Sequence, residues 1–328
     1  MADVIAATPR SDISRDRQNQ AILIATALTN MALLWIAAHA GHSLIVLTAA
    51  LLFAFTNNTM FSLLHEAVHE KFAASALANA AGGHLAAAFF PTSFTLQTAL
   101  HLTHHANNRS DVERFDYIGP DENVPLKTVQ WFTILTGLYW VSIPLFWVFY
   151  AFFGSLVPWS QIMPPDSRFA RQTSAGAFLE SARQLPIGRI RIELFASVAL
   201  QAAMFWLLDL NIGSWLACYA AFGLAWSSLQ YADHAFSVLD RHEGAWDLRV
   251  SRFTRALFLN YHDHRVHHRD PAIRWQDLPR DADHGGRRHF LSVLYLMWRG
   301  PRLLPGSHQS DGRQRQLEWT VLGCHVAV

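Results

Sequence analysis

Cysteine is nearly absent from this sequence, and its scarcity excludes several kinds of site. The 328 residues contain two cysteines, Cys218 within an apolar run and Cys324 near the C-terminus. Two are too few for a disulfide framework, a cysteine-based zinc site or an iron–sulfur cluster. The sequence also lacks the G-x-G-x-x-G pattern that binds flavin and nicotinamide dinucleotides. Redox centres of these kinds are therefore excluded.

Charged residues are also scarce. They make up 16% of the chain, against about 25% in an average soluble domain, and the formal net charge is +1. No basic stripe with interleaved aromatic residues is present, so we expect no nucleic-acid partner. Residues 1–20 are polar, with three arginines and three aspartates, which is not the pattern of a cleavable signal peptide.

Hydrophobic residues, by contrast, make up 51% of the chain. Four apolar runs come close to or exceed the roughly 20 residues that a helix needs to cross a bilayer. They lie at residues 21–38, 43–64, 192–208 and 213–232. The first two have no polar face, which argues against buried helices of a soluble core. Short links join the runs in pairs, so we predict an all-α integral membrane protein with four transmembrane helices in two hairpins.

The positions of lysine and arginine predict the orientation. Neither short link carries one, whereas the N-terminal segment, the segments between the hairpins and the chain after Asp233 carry all of them. Basic segments favour the cytoplasm, so we expect both termini and the histidine clusters described below on that side. A further apolar run at residues 129–157 must then enter and leave the membrane on the same side, so that the histidine clusters before and after it are both cytoplasmic. We predict an interfacial or re-entrant helix pair there, broken at Pro144.

The remaining chain predicts a cap outside the membrane. From Arg249 onward it is polar and rich in histidine, with a short amphipathic helix at Phe290–Trp298. We divide the chain into a flexible polar N-terminus (residues 1–20), a membrane domain with a cytoplasmic histidine-rich cap (21–299) and a loosely ordered C-terminal tail (300–328).

Histidine is the residue that this chain has in excess. Eighteen are present, and eight of them form three clusters at helical spacing, with His234 directly after the fourth apolar run. The clusters are His65-x-x-x-His69, His101-x-x-His104-His105 and His264-x-x-His267-His268. Residues three or four apart share a helix face, so we expect His65 to act with His69 and His101 with His104. Because His105 points about 100° away from His104, it is placed to serve a second metal.

Nine histidines are too many for one tetrahedral zinc site. They fit two metal ions of higher coordination, each with an open position. Imidazole suits zinc, copper, iron and nickel alike, so the ligands alone do not select the metal. The site lies at the mouth of an apolar helical bundle, where substrates offer unactivated C–H bonds, and this favours iron. Seven further histidines have a structural interpretation: His39, His42, His84, His284, His289, His308 and His325.

Two other functions compete with an oxidative one. His65-Glu66-Ala67-Val68-His69 matches the H-E-x-x-H pattern of zinc metalloproteases, with Glu66 as the candidate general base. That interpretation accounts for two ligands and leaves the second and third clusters unexplained. A membrane metal carrier without catalysis is the other alternative.

The three clusters and their order resemble the histidine boxes of the membrane fatty acid desaturase/hydroxylase superfamily. The similarity covers residues 56–279 and includes Asn260-Tyr261 and Trp275-x-x-Leu278-Pro279 around the third box. The resemblance implies two non-heme irons that use O₂ to oxidise a lipid C–H bond. It also implies the following iron ligands: His65, His69, His101, His104, His105, His234, His264, His267 and His268.

The reaction and the partners follow from the same resemblance. Desaturation of a fatty acyl chain is the first expectation, while hydroxylation, ketolation and oxidative decarboxylation of a lipid stay open. Since the chain has no electron-transfer centre of the kinds excluded above, we expect a separate ferredoxin, or a cytochrome with its reductase, to dock on the cytoplasmic cap.

Several neighbours of the third cluster are candidates for supporting roles. His262 follows Asn260-Tyr261, where many members of the superfamily place a box histidine, so it competes with His264; the spacing favours His264. Asp233 and Asp263 are candidate acceptors for ligand N–H groups, which would orient the rings. Asn260 is a further candidate for this role or for an alternative ligand.

Overall fold

The computed structural model describes residues 10–164, 167–173 and 175–304. The predicted C-terminal tail lies largely outside these residues, as do His308 and His325. Four helices are long and apolar enough to cross a membrane, at Ile13–His39, Ser43–Val68, Ile187–Leu207 and Ile212–Ala232. These are most of helix α1 (Arg10–His39), then α2 (Ser43–Val68), α10 (Ile187–Leu207) and α11 (Ile212–Ala232). The prediction of an all-α fold with four candidate spans is confirmed.

Shorter elements connect and cap these spans. Between α2 and α10 lie α3 (Ala76–Phe89), α4 (Phe94–Asn107), β1 (Tyr117–Ile118), α5 (Val124–Leu135), α6 (Leu138–Phe153), α7 (Trp159–Ile162), α8 (Arg168–Thr173) and α9 (Ala175–Arg183). After α11 come β2 (Leu248–Arg249), α12 (Arg252–Leu257), α13 (His264–Arg269), α14 (Leu278–Asp281), β3 (Arg288–His289), α15 (Phe290–Trp298) and β4 (Arg302–Leu303). β1 pairs in parallel with β4, and β2 with β3. The helix predicted at Phe290–Trp298 is present with those bounds.

The α1–α2 pair and the α10–α11 pair meet at the end of the bundle that is distant from the three histidine clusters. There the Asn211 side chain donates to the Ala38 carbonyl at 2.9 Å, and the Ser214 hydroxyl donates to the Ala37 carbonyl at 2.7 Å. Inside the bundle, the Asn30 amide donates to Asn57 at 2.9 Å. Such polar contacts link helices where no water is available to satisfy the amides. Both tight links therefore lie at the same end of the bundle, as the charge pattern predicted.

Helix α1 begins at Arg10, eleven residues before the predicted start of the first span. Its polar first turns contact the cap: Arg15 pairs with Asp277 at 2.7 Å, Asp16 with Arg274 at 2.8 Å, and Asn19 accepts from the Trp275 indole at 2.8 Å. Residues 10–20 are thus helical, where we had expected a flexible segment. Hydropathy could not show this, because the ordering comes from ion pairs with residues more than 250 positions away.

The apolar run between the two helical pairs bends at a different place from the predicted one. α5 and α6 meet at 93°, and the break falls at Thr136–Gly137, whereas Pro144 lies within α6. Gly137 has a φ of 78°, and a Cβ there would come within 2.8 Å of the Leu224 backbone nitrogen. Only glycine permits both the positive φ and this approach to α11. By length and composition, the bent pair is either a fifth, broken span or a re-entrant loop.

Candidate metal centre

The first histidine pair lies at the end of a candidate span. α2 continues past the apolar run to Val68, so His65 lies in its last turn and His69 is the residue that ends it. The two ring centroids are 5.0 Å apart. The end of α2 is held against the cap, because the Thr59 hydroxyl donates to the Leu257 carbonyl at 2.6 Å and that of Ser62 to the Phe258 carbonyl at 3.1 Å.

The second cluster lies on α4, and both ends of this helix are fixed. The Ser93 hydroxyl accepts from the Leu96 backbone N–H at 3.0 Å and also hydrogen-bonds the Glu193 carboxylate, which in turn accepts from the Thr95 N–H at 3.1 Å. An anion at a helix N-terminus is stabilised by the helix dipole. At the other end, the Asn108 amide donates to the Arg241 carbonyl at 2.9 Å. These contacts set the rotation of α4 and so the direction of its histidines.

The third cluster and His234 come from the other side of the site. α13 carries His264, His267 and His268, all buried, and His234 follows the end of α11. His234 Nδ1 lies 3.0 Å from the Gly244 carbonyl, which selects the tautomer with hydrogen on Nδ1 and turns Nε2 towards the other rings.

Five imidazoles form the first group. They are His65, His69, His101, His105 and His267, and their ligand atoms all lie within 4.8 Å of one another. The Nε2 atom of His101 is 2.9 Å from that of His69 and 3.0 Å from that of His105. Two ligands at right angles, each about 2.1 Å from a metal, place their nitrogens about 3.0 Å apart. The spacing fits a single metal ion between these nitrogens.

Four imidazoles form the second group: His104, His234, His264 and His268. The Nε2 atoms of His264 and His234 are 3.0 Å apart. The groups are neighbours, since the His105 ring of the first stacks on the His268 ring of the second with centroids 4.3 Å apart. The structure thus brings all nine predicted histidines together as two adjacent groups.

His65 and His69 share a group as expected, whereas the division of the second and third clusters differs from the expected one. In the second cluster, His101 groups with His105 and not with His104; in the third, His264 groups with His268 while His267 joins the other group. Helix geometry explains this: residues four apart differ by about 40° around the axis, whereas residues three apart differ by about 60°. The i, i+4 pair therefore shares one group, and the remaining histidine faces the other.

The chemistry of the cluster suits metal binding. Burial, and the mutual repulsion of neighbouring imidazolium charges, lower the pKa of His101, His234 and His267 well below the usual value, and burial is the main cause of a pKa of about 4 for His69. The rings are therefore neutral at pH 7, as metal ligands must be. In addition, the buried Nε2 atoms of His65 and His268 have no hydrogen-bond partner among the described residues. Buried nitrogens that lack a partner, each within a group of imidazoles, fit bound metal.

Glu113 makes a carboxylate contact that sequence reasoning missed. Its Oε2 lies 3.2 Å from His104 Nδ1, and its carboxylate is buried. This contact leaves His104 Nε2 free as a ligand atom. Glu113 is nine residues from His104 and lies beyond the end of α4, so helical spacing does not predict their contact. The contact forms because the chain turns back after α4. An acid close behind the second cluster was the only available signal.

The candidates around the third cluster have other partners. Asp233 contacts His262 Nδ1 at 3.3 Å, and Asp263 pairs with Arg255 and Arg287, each at 2.7 Å. Burial raises the pKa of Asp233, and it raises that of Asp263 to about 6 against the opposing effect of Arg255. These two carboxylates therefore lie beside His262 and two arginines, and among the described residues neither carboxylate is hydrogen-bonded to any of the nine histidines.

His262 itself lies outside both groups. Its ring contacts Phe258, Tyr261 and Phe290, whereas the His264 ring lies 4.8 Å from that of His234. Between the two rivals, the structure brings only His264 to the cluster. Asn260 donates to the Trp275 carbonyl at 3.0 Å and so fixes the loop that precedes α13.

A buried ion pair in the loop after α4 is hydrogen-bonded by residues at the end of α11 and just after it. Arg109 and Asp116, both fully buried, form two contacts of 2.6 and 2.9 Å. The Tyr231 hydroxyl donates to Asp116 at 3.0 Å, and the Phe236 N–H donates to the same carboxylate at 2.6 Å. Because Phe236 and Tyr231 flank His234, this network fixes His234 relative to His104.

An apolar cavity leads to the cluster. It has a volume of about 380 Å³, and three histidines line it: His101 from the first group, and His104 and His234 from the second. Apolar and aromatic side chains from α2, α4, α6, α9 and α11 form most of its wall, among them Phe61, Leu100, Ile143, Phe146, Leu179 and Trp226. A volume of this size is within the range of small-ligand sites. This cavity could not be predicted from the sequence, because its wall comes from many separate elements.

Together, the candidate spans and the histidine groups define a helical integral membrane protein with a site suited to two metal ions. The fatty acid desaturase family model matches residues 41–290, about three quarters of the chain. The chain therefore belongs to the fatty acid desaturase family, which implies an oxidoreductase that acts on lipids. No curated protein matches the sequence.

Proposed function

We propose that this protein uses dioxygen and a pair of irons to oxidise an aliphatic C–H bond of a fatty acyl chain or related lipid, and that the reaction is desaturation. The observation that carries the proposal is the position of the two histidine groups at an apolar cavity. The proposed ligands of one iron are His65, His69, His101, His105 and His267, and those of the other are His104, His234, His264 and His268.

Each part of the site has a distinct task in this proposal. The iron pair, when bound, supplies the redox chemistry that dioxygen needs in order to attack an unactivated C–H bond. The cavity excludes water and holds an alkyl chain against His101, His104 and His234. Small displacements of the alkyl chain decide between desaturation and hydroxylation, because desaturation requires that a second C–H bond also lie close to the metals.

Electrons must reach the site from a separate protein. We propose that a ferredoxin, or a cytochrome with its reductase, docks on the histidine-bearing end of the bundle. The absence of lysine and arginine from both tight links supports a cytoplasmic location for this end and for both termini.

The metalloprotease alternative has less support. Glu66 accepts from the Trp275 backbone N–H at 3.3 Å, and its neighbours His65 and His69 share their group with three further histidines. A zinc hydrolase has no use for nine nitrogens. Family membership also favours oxidation over hydrolysis.

Metal content and products test the proposal together. The purified protein should contain two irons per chain and should convert an acyl lipid to an unsaturated product when given dioxygen and a reducing system. One zinc and no iron would contradict the oxygenase. A product that is only hydroxylated would contradict desaturation while leaving the metal centre intact.

Glu113 provides a further prediction. In Glu113→Ala, His104 loses the acceptor that orients its ring, so metal affinity should fall by about 10- to 100-fold. Glu113→Gln keeps an acceptor oxygen and should lose less. Asp111→Ala is the matched control, because Asp111 lies on the same loop, is 82% exposed and pairs with Arg114. Iron titration of the metal-free protein measures all three, and equal affinities would show that Glu113 does not position His104.

A further inference from the structure

Two glutamines line the cavity next to the histidines. Gln97 lies four residues before His101 on α4, and Gln230 lies four residues before His234, on α11. Residues four apart share a helix face. Gln97 therefore lies about 6 Å along the axis of α4 from His101, while Gln230 lies in the last turn of α11 and His234 in the turn that follows it; the two histidines belong to different groups.

Neither amide has a hydrogen-bond partner among the residues that the structure describes. Other glutamines of the bundle are paired: Gln201 bonds to Ala88, Tyr219 and Trp215. A primary amide offers two donor hydrogens and an acceptor oxygen. Covering these groups with a pure hydrocarbon chain would leave them unsatisfied, which carries the full cost of their desolvation.

The cavity also lacks a cation to pair with an acidic headgroup. No lysine or arginine is among its described lining residues, and its one carboxylate, Glu113, is already directed at His104. An unpaired anion is costly to bury in apolar surroundings. The amides therefore suit a neutral group that both accepts and donates, or only accepts, hydrogen bonds.

We propose that Gln97 and Gln230 determine specificity for a lipid that carries a neutral oxygenated group, such as an ester, amide or hydroxyl, about one helical turn from the C–H bond that reacts. A free carboxylate and a plain hydrocarbon are the poorer ligands. This inference rests on the proposed function for the position of the reacting bond, and on the cavity alone for the binding preference.

Ligand binding tests the preference without turnover. The metal-loaded protein in nanodiscs, kept free of dioxygen, is titrated with methyl dodecanoate, dodecane and dodecanoate in competition with a fluorescent lipid probe. Each variant is compared with the wild type for the same ligand, because the partition of that ligand into the nanodisc lipid then affects both measurements equally. Gln97→Leu and Gln230→Leu should each weaken methyl dodecanoate binding by about tenfold, the order expected for one hydrogen bond.

Dodecane should bind these variants as tightly as it binds the wild type, or more tightly. Gln161→Leu is the matched control, because Gln161 is exposed and does not line the cavity. Equal losses for ester and hydrocarbon would mean that the amides act on the shape of the cavity alone, and would overturn the proposal. Tighter binding of dodecanoate than of its methyl ester to the wild type would overturn it too. If the discrimination holds but no oxidised product ever forms, the proposed function fails while the binding preference stands.

Discussion

Replacing His264 with alanine is expected to remove one of the two irons and to lower lipid oxidation by more than about 100-fold. Even partners that only orient a ligand contribute about 10- to 100-fold, so the loss of a ligand should exceed that range. His264 Nε2 lies 3.0 Å from His234 Nε2, within the group that has only four nitrogens. Iron content per chain and product formation measure the two effects.

The neighbouring histidine supplies the comparison for this prediction. His262→Gln keeps a side-chain amide that can donate to Asp233, and it removes nothing from either group. It should retain both irons and most of the activity. The opposite result, iron loss in His262→Gln and none in His264→Ala, would assign the ligand role to His262.

Filling the cavity is expected to separate substrate oxidation from metal binding. Ala175 lines the cavity at the start of α9, so the indole of Ala175→Trp would occupy part of its 380 Å³. A substrate displaced by even about 1 Å can lose about 100-fold in rate, and we expect a loss of that order with the iron content unchanged. The measurements are the rate of product formation and the iron content of the same preparation.

Ala196→Trp is the control for bulk alone. Ala196 lies on the exposed side of α10 and does not line the cavity, so its replacement should leave the rate unchanged. Unaltered oxidation in Ala175→Trp would show that the substrate reaches the histidines by another route. Loss of iron in that variant would show that the added ring disturbs the metal centre itself.

The candidate spans could be predicted because each depends on a local property. A run of about 20 apolar residues is sufficient to mark a membrane helix, whatever the rest of the chain does. The start of α1 could not be predicted in this way, since residues 10–20 are polar and are ordered by contacts with Asp277, Arg274 and Trp275. The bend at Gly137 was also missed, because the reason for it is the close approach of α11.

The histidines show the same division between local and long-range information. Spacing within each cluster was visible in the sequence and led to eight of the nine residues that the structure brings together, while His234 was indicated by its position after the fourth apolar run. The i, i+4 pairing follows from helix geometry, but which pairs combine into the groups of five and four depends on the rotation of α4 and α13, and distant contacts such as Ser93 with Glu193 fix that of α4. Glu113 and the two glutamines were not predicted, because their importance depends on the cavity beside them.

The sequence by itself therefore determined the class of the fold and the identity of the clustered histidines, because apolar length and helical spacing are properties of short segments. The tertiary structure alone decided how the three clusters and His234 combine into two groups, that His264 and not His262 joins them, and that an apolar cavity lined by two glutamine amides leads to the site. These features arise where helices far apart in the sequence meet, and the packing of their side chains sets the distances between them.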